Sequence, residues 1–102
     1  MTNKMLELEA VRVRTNKMQE LEAVRKRAGL NIVEFTNILP IERSTYYGWL
    51  NEEHHPDPFR IEVCLDYADL INDCITNGLL PLKSAARGGR MDEIRAALKK
   101  CA

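Results

Sequence analysis

Pro40 divides the centre of the chain into two short helical stretches and so limits what this region can form. Asn31 can cap a first helix, which ends one or two residues before Pro40 because the residue preceding a proline avoids the helical region. Residues 40–42 then form a turn, and a second helix runs from Arg43 to about Asn51. The sequence therefore predicts two short helices joined by a three-residue turn.

The apolar residues of these two helices predict which sides face inward. Tyr46 and Trp49 are three residues apart in the second helix, so they face inward together. The opposite, exposed side is predicted to hold Arg43, Ser44 and Tyr47, with Gly48 beside them. The inward candidates of the first helix are Val33, Phe35, Ile38 and Leu39.

The chain begins with a tandem duplication. Residues 2–14 read TNKMLELEAVRVR and residues 15–27 read TNKMQELEAVRKR, so eleven of thirteen positions agree. We call them the first copy and the second copy. Both are rich in helix-forming residues, and Gly29 follows as a C-cap. Two short copies are too few for a solenoid, which needs at least three stacked units.

The spacing of apolar residues favours one long helix from about residue 3 to residue 28. One stripe at steps of three and four residues, interrupted by Lys17, contains Leu6, Ala10, Val13, Leu21, Val24 and Ala28. We expect the second half to pack into the domain and the first half to project towards a partner chain. The alternative is a frayed first copy, with Thr15 or Asn16 capping a separate helix.

After the long N-terminal helix and the two short helices around Pro40, a fourth helix begins at Asp57, which is an N-cap followed by proline at the first helical position. This helix continues to Gly78. Its acidic residues form one stripe: Glu62, Asp66, Asp69 and Asp73. Apolar residues fill most of the remaining circumference, a wider arc than one core requires. We infer that one side of this helix packs against the core of the domain. Another side, within residues 59–77, contacts a second subunit, and the N-terminal extension is a possible further contact.

The C-terminal part is predicted to be a loop followed by a short helix. Residues 79–90 (LLPLKSAARGGR) contain one proline, two glycines and three cations, which suggests a flexible basic loop. An amphipathic helix from Met91 to Lys100 places Ile94, Ala97 and Leu98 inward.

The fold class is thus all-α with five helices. Residues 1–14 are the duplicated extension, 15–78 the main domain, and 79–102 the basic loop and last helix.

Charge and cysteine content narrow the function. Fifteen cations balance fifteen acids, but residues 31–78 hold two cations against nine acids, so both ends are basic around an acidic centre. A neutral total argues against indiscriminate coating of nucleic acid, although it allows a local basic face. The three widely spaced cysteines indicate free thiols in a reducing compartment. With no long apolar run and no signal peptide, we expect a cytoplasmic protein.

No pattern typical of an enzyme, cofactor or metal site stands out. His54, His55 and Asp57 lack the repeating His or Cys spacing of a zinc site. The Gly88-Gly89 pair lacks the strand and Gly-Lys-Ser/Thr signature of a phosphate-binding loop. We therefore expect no enzymatic activity, no cofactor and no metal.

About 28 residues around the proline resemble a known family. The order AGLN, then Glu34-Phe35, Leu39, Ile41, Arg43-Ser44-Thr45, Trp49 and Asn51 resembles the Cro/cI (lambda-repressor-like, XRE-type) helix-turn-helix DNA-binding family. The opening TNKMQELEAVRKR also has a weaker similarity to anti-CRISPR-associated autorepressors. The resemblance implies a five-helix lambda-repressor-like domain with an extended N-terminal helix, whose second motif helix enters the DNA major groove.

The resemblance also assigns roles to residues. The positions that face base edges are Arg43, Ser44, Tyr47 and Gly48. Those near the DNA backbone are Asn31, Thr45, Arg25, Lys26 and Arg27, with a possible second contact from Lys83, Arg87 and Arg90. The motif core positions are Phe35, Leu39, Ile41, Tyr46 and Trp49. Arg43 is the first candidate for base reading, because its guanidinium matches guanine O6 and N7.

Three positions depart from the family pattern. Pro40 stands where the family prefers glycine, Thr36 replaces a small alanine, and Gly48 replaces a longer contact residue. These departures predict an altered docking angle and fewer base contacts from the far end of the reading helix.

The function that the resemblance implies is a homodimeric repressor or autorepressor, of the kind found in phages and mobile elements, that binds an inverted repeat of double-stranded DNA. The alternative is an antitoxin or antirepressor that uses the acidic helix to bind a basic protein.

Overall fold

The computed structural model describes residues 17–83 and 89–101. This part of the chain consists of helices and contains no strand, so the all-α prediction is confirmed for it. The helices are α1 (17–27), α2 (Ile32–Ile38), α3 (Arg43–Leu50), α4 (Pro58–Thr76) and α5 (Arg90–Cys101). The predicted extension of α1 through the first copy lies outside the described residues, as does Arg87.

The turn between α1 and α2 is set by Gly29. Its φ of +68° is the left-handed conformation, which costs glycine little. The Gly29 N–H donates to the carbonyl of Lys26 at 3.1 Å, and the Leu30 N–H donates to that of Arg25 at 3.1 Å. These two bonds form a Schellman motif, which confirms the predicted C-cap. A Cβ at Gly29 would lie 2.9 Å from the Cβ of Pro81, so the close approach of that loop also requires glycine.

Helix α2 is capped at both ends by local signals. Asn31 Oδ1 accepts the Glu34 N–H at 2.8 Å, and the Asn31 N–H donates to Glu34 Oε1 at 3.0 Å, which completes a capping box. Leu39, before Pro40, is extended with ψ of 148°, so the helix ends at Ile38, as predicted.

Helix α4 begins as the sequence predicts, since Asp57 Oδ1 accepts the Phe59 N–H at 3.1 Å. It ends at Thr76, two residues before Gly78, which adopts a φ of +75°. Two polar contacts align α1 with α4. Lys17 pairs with Glu62 at one end, and Arg27 donates to Asn72 at the other. Since both contacts join residues 45 apart, the two helices run in the same direction.

All five helices contribute side chains to one core. Its buried members include Leu21, Val24, Phe35, Tyr46, Trp49, Ile61, Cys64, Ile71 and Ile94. The predicted inward positions Phe35, Leu39, Ile94 and Ala97 are buried, and Ile38, Ile41 and Leu98 are half-buried. The prediction for Val33 is wrong. Val33 is 44% exposed, because it lies two residues, or about 200° around α2, from the buried Phe35.

Within the described ranges, no helix combines the length and apolar character needed to cross a membrane.

Candidate nucleic-acid interface

The inner side of α3 is fixed by two aromatic residues. Tyr46 and Trp49 are both buried. The Tyr46 ring meets Phe35 of α2 edge to face, with the ring centroids 5.7 Å apart. Its hydroxyl donates to Glu22 Oε2 at 2.7 Å. These contacts hold α3 against both α1 and α2.

The outer side of α3 presents the residues predicted for it. Arg43 and Ser44 are exposed, and the side chain of Tyr47 is 43% exposed. Positions 43, 44 and 47 share one face of the helix, since residues three and four apart are neighbours there. Thr45 is half-buried beside them. The structure thus brings the three predicted side chains together on one exposed surface, which we call the α3 face.

The prediction that Gly48 lies exposed on this face is wrong. Gly48 is buried, and a Cβ placed on it would lie 2.9 Å from Cδ2 of His54. The chain reverses after α3 through Glu52, whose φ is +59°, and the Glu53 N–H donates to the Gly48 carbonyl at 2.9 Å. This reversal lays the His54 ring over Gly48. The glycine therefore makes room for the turn and is removed from the base-contact set.

Arg25, one of the predicted backbone contacts, has an intramolecular role. Its Nε donates to Glu22 Oε2 at 2.6 Å, and its Nη1 donates to the Leu30 carbonyl at 3.0 Å. The hydrogen bond from Arg25 lowers the pKa of Glu22, and the bond from Tyr46 adds to this effect. Lys26 and Arg27 are exposed at the same end of α1.

Arg90 also makes a contact that the sequence analysis missed. It begins α5 instead of lying in the basic loop, and its Nε donates to Glu34 Oε2 at 2.7 Å. Its Nη2 donates to the Gly29 carbonyl at 3.1 Å. The bond from Arg90 lowers the pKa of Glu34. The pattern Asn31-x-x-Glu34 could have shown the capping box of α2 in the sequence. No local signal indicates that Glu34 also pairs with Arg90, which lies 56 residues away.

Arg60 is a further cation near the α3 face that the sequence analysis did not single out. It is exposed in the first turn of α4. It lines an open groove of about 620 Å³ together with Leu39, Pro40, Ile41, Glu42 and Thr45. The groove therefore brings together the turn before α3, the half-buried Thr45 and the guanidinium of Arg60. Asn31 is exposed, although its Oδ1 is used by the α2 cap.

Helix α4 carries an apolar stripe that is only partly covered. Phe59 is 76% exposed and Tyr67 is 38% exposed, and Val63 and Leu70 on the same side are half-buried. The stripe leads into a second groove, of about 300 Å³, lined by Asn37, Ile38, Tyr67, Leu70, Arg95, Leu98 and Lys99. The predicted acidic stripe of α4 is exposed along its whole length. The sequence analysis predicted a second contact surface within residues 59–77, the part of α4 that carries this stripe.

The three cysteines are free thiols. Burial raises the pKa of Cys64 to about 11 and that of Cys74 to about 12, so both are protonated and unreactive at neutral pH. Cys101 is half-buried. Among the described residues, no group of three or more His, Cys, Asp and Glu side chains is placed to hold a metal ion.

Comparisons of this chain with protein-family models, curated proteins and solved structures gave no match. The family resemblance therefore rests on the residues around Pro40 alone.

Proposed function

We propose that this protein is a sequence-specific double-stranded DNA-binding transcriptional regulator, a homodimeric repressor or autorepressor that reads an inverted repeat through the major groove. The observation that carries the proposal is the α3 face. Arg43, Ser44 and Tyr47 are exposed together on one side of an eight-residue helix whose other side is fixed by buried Tyr46 and Trp49. A short helix held in this way presents a constant set of donors and acceptors.

The chemistry of the α3 face suits base edges. Arg43 offers two parallel donors to guanine O6 and N7, at about 1–3 kcal/mol of discrimination per bidentate pair. Ser44 donates or accepts, and Tyr47 contacts a phosphate or a thymine methyl group. Four helical residues rise about 6 Å, close to two base-pair steps. Since Gly48 is buried, we expect each half-site to have a short core of two or three directly read base pairs.

Backbone contacts are expected to be few. Arg60 and Thr45 adjoin the α3 face across the open groove, and the other exposed candidates are Lys26, Arg27, Asn31 and Lys83. The exposed acids beside this surface, Glu42, Glu52 and Glu53, oppose phosphate. Specific contacts must therefore supply a larger share of the affinity than in a strongly basic protein, and non-specific DNA is expected to bind weakly.

The apolar stripe of α4 supports the homodimer. Phe59 and Tyr67 expose large rings, and aromatic residues of this kind are enriched at subunit contacts. A two-fold interface uses the same patch on both subunits, and two-fold pairing is what an inverted repeat requires.

Selection of bound duplexes from a random pool tests the proposal, with two arginine variants as a matched pair. The parent should select a palindrome with half-sites about one DNA turn apart. Arg43→Ala should lose preference at one base pair of each half-site. Arg60→Ala should select the parent's palindrome, with a salt slope reduced by about 1.8 for two lost phosphate contacts per dimer. Failure of the parent to enrich any sequence, or an unchanged motif from Arg43→Ala, would contradict the proposal.

The exposed acidic stripe favours a second candidate, an antitoxin or antirepressor that binds a basic protein. Retention of a basic protein by the parent, lost in Asp66→Asn/Asp69→Asn, together with no enriched DNA, would support this candidate instead.

A further inference from the structure

The apolar stripe of α4 has charges of opposite sign on its two sides. At about 100° per residue, the acidic stripe lies about a quarter turn around α4 from the apolar stripe, on the side that contacts α1. Glu62, the first acid of that stripe, pairs with Lys17 of α1. On its other side the apolar stripe leads into the groove that α4 shares with α5, where Arg95 and Lys99 lie. We call these two residues the α5 cations.

The charges on both sides are exposed and are not used within the described part of the chain. Asp66, Asp69 and Asp73 of the acidic stripe are exposed, and so are both α5 cations. None of these five side chains forms an ion pair with another residue of the described ranges. They are therefore available to a molecule that covers the apolar stripe.

The acids and the α5 cations lie at about the same height along α4. Cys74 Sγ donates to the Ala97 carbonyl oxygen at 3.5 Å, so the middle of α5 lies beside the last turns of α4. The α5 cations are each two residues, or about 3 Å along the helix axis, from Ala97. Asp73 precedes Cys74, and Asp69 lies about one turn before it. The apolar stripe is therefore flanked at this height by two acids on one side and two cations on the other.

Two-fold symmetry determines which of these charges meet in a dimer. An axis that runs along the apolar stripe exchanges the two sides of the stripe, so each acidic stripe lies opposite the α5 cations of the second copy. Both α4 helices then run in the same direction. An axis that crosses the stripe at right angles reverses one helix and places acid opposite acid, and such like-charge contacts are unfavourable. The surface is thus complementary to a second copy of itself in only the first arrangement.

We propose that two copies of this chain pair along the apolar stripe with their α4 helices in the same direction, an arrangement that rests on the homodimer of the proposed function and defines its geometry. Asp69 and Asp73 of each copy pair with the α5 cations of the other. Apolar residues on the axis, such as Val63, meet their own copies.

The position of α3 agrees with this arrangement. Arg60, in the first turn of α4, lines one groove with Thr45 of α3, so α3 lies near the N-terminal end of α4. When the two α4 helices run in the same direction, both α3 helices are at the same end of the dimer. Two half-sites on one duplex require the two reading helices to be presented together in this way.

Reversing the charges on one side at a time tests the pairing, with the dimer dissociation constant of the full chain measured by sedimentation equilibrium without DNA. Asp69→Lys/Asp73→Lys replaces four attractive pairs per dimer with four repulsive ones. It should raise the dissociation constant at least about tenfold, since exposed pairs contribute modestly but add up. Arg95→Glu/Lys99→Glu should have the same effect. The variant with all four changes again has opposite charges across the stripe and should dimerise within about threefold of the parent.

Glu52→Lys/Glu53→Lys is the matched control. It makes the same change of net charge at two exposed acids in the turn after α3, so its dissociation constant should stay within about twofold of the parent. The thermal midpoint of each variant shows that it is folded, which we expect because every changed side chain is exposed.

Three results would overturn the proposed pairing: a monomeric parent, a dimer that neither reversal weakens, or a combined variant that stays as weak as the single reversals. Selection of bound duplexes tests the proposed regulator separately. A parent that selects a palindrome but whose dimer is unaffected by either reversal would overturn the pairing alone. A parent that dimerises as predicted and enriches no DNA would support the pairing and contradict the regulator.

Discussion

Removal of one hydroxyl, in Tyr46→Phe, tests how α3 is held. The Tyr46 Oη donates to Glu22 Oε2 at 2.7 Å from a fully buried ring. Hydrogen bonds to charged groups contribute about 1.5–3 kcal/mol. Because the Glu22 side chain is 21% exposed and keeps its bonds from Arg25, we expect the lower end, about 1.5 kcal/mol. The edge-to-face contact with Phe35 is retained. For a domain of this size, the thermal midpoint should fall by about 6–12 °C.

Thermal and urea unfolding at neutral pH measure this loss, and Tyr47→Phe is the matched control. Tyr47 is on the α3 face, so loss of its hydroxyl should leave the free energy of unfolding within about 0.5 kcal/mol of the parent. The folded-state pKa of Glu22 is lowered, so its contribution is complete above its unfolded-state pKa and disappears as the pH falls through the folded-state value. The gap between Tyr46→Phe and the parent should therefore narrow on acidification. Equal losses in both variants, or a gap that widens in acid, would refute the assigned bond.

Three further predictions concern stability and assembly. Glu52→Gly should stabilise the protein by about 0.5–1 kcal/mol in urea unfolding, because Glu52 holds a φ of +59°, and Glu53→Gly should give no such gain. Phe59→Ser should weaken the self-association that we propose, as measured by analytical ultracentrifugation, and should leave the free energy of unfolding within about 0.5 kcal/mol, since Phe59 is 76% exposed. An unchanged dimer would exclude the α4 stripe as the contact surface. Arg90→Met should lower the thermal midpoint at pH 7, and the difference should shrink in acid as Glu34, whose pKa Arg90 lowers, becomes protonated.

Helix boundaries were predictable because their signals are local. The Asn31 cap, the stop before Pro40, the Asp57-Pro58 start and the Gly29 end all act within a few residues, and each appears in the structure. The inward and outward sides of α3 followed from the spacing of Tyr46 and its neighbours, because an eight-residue helix between two firm stops has one consistent apolar side.

Contacts between distant segments were not predictable in the same way. The burial of Gly48 depends on a turn that passes through a left-handed Glu52, a residue that seldom adopts this conformation. The Arg90–Glu34 pair joins residues on different helices. Charge alone marked Arg90 as a free cation, because composition shows which residues carry charge and does not show which acid each one meets.

The short helices of the proposed reader depend on the longer ones around them. Helices α2 and α3 have seven and eight residues, too few for stability in isolation. Glu22 of α1 holds α3 through Tyr46, and Arg90 of α5 holds α2 through Glu34. The position of the α3 face is therefore set by two helices that contribute none of its side chains. Variants of the Tyr46–Glu22 and Arg90–Glu34 pairs should weaken the proposed DNA binding without changing the selected DNA sequence, whereas variants on the α3 face should change the selected DNA sequence without changing stability.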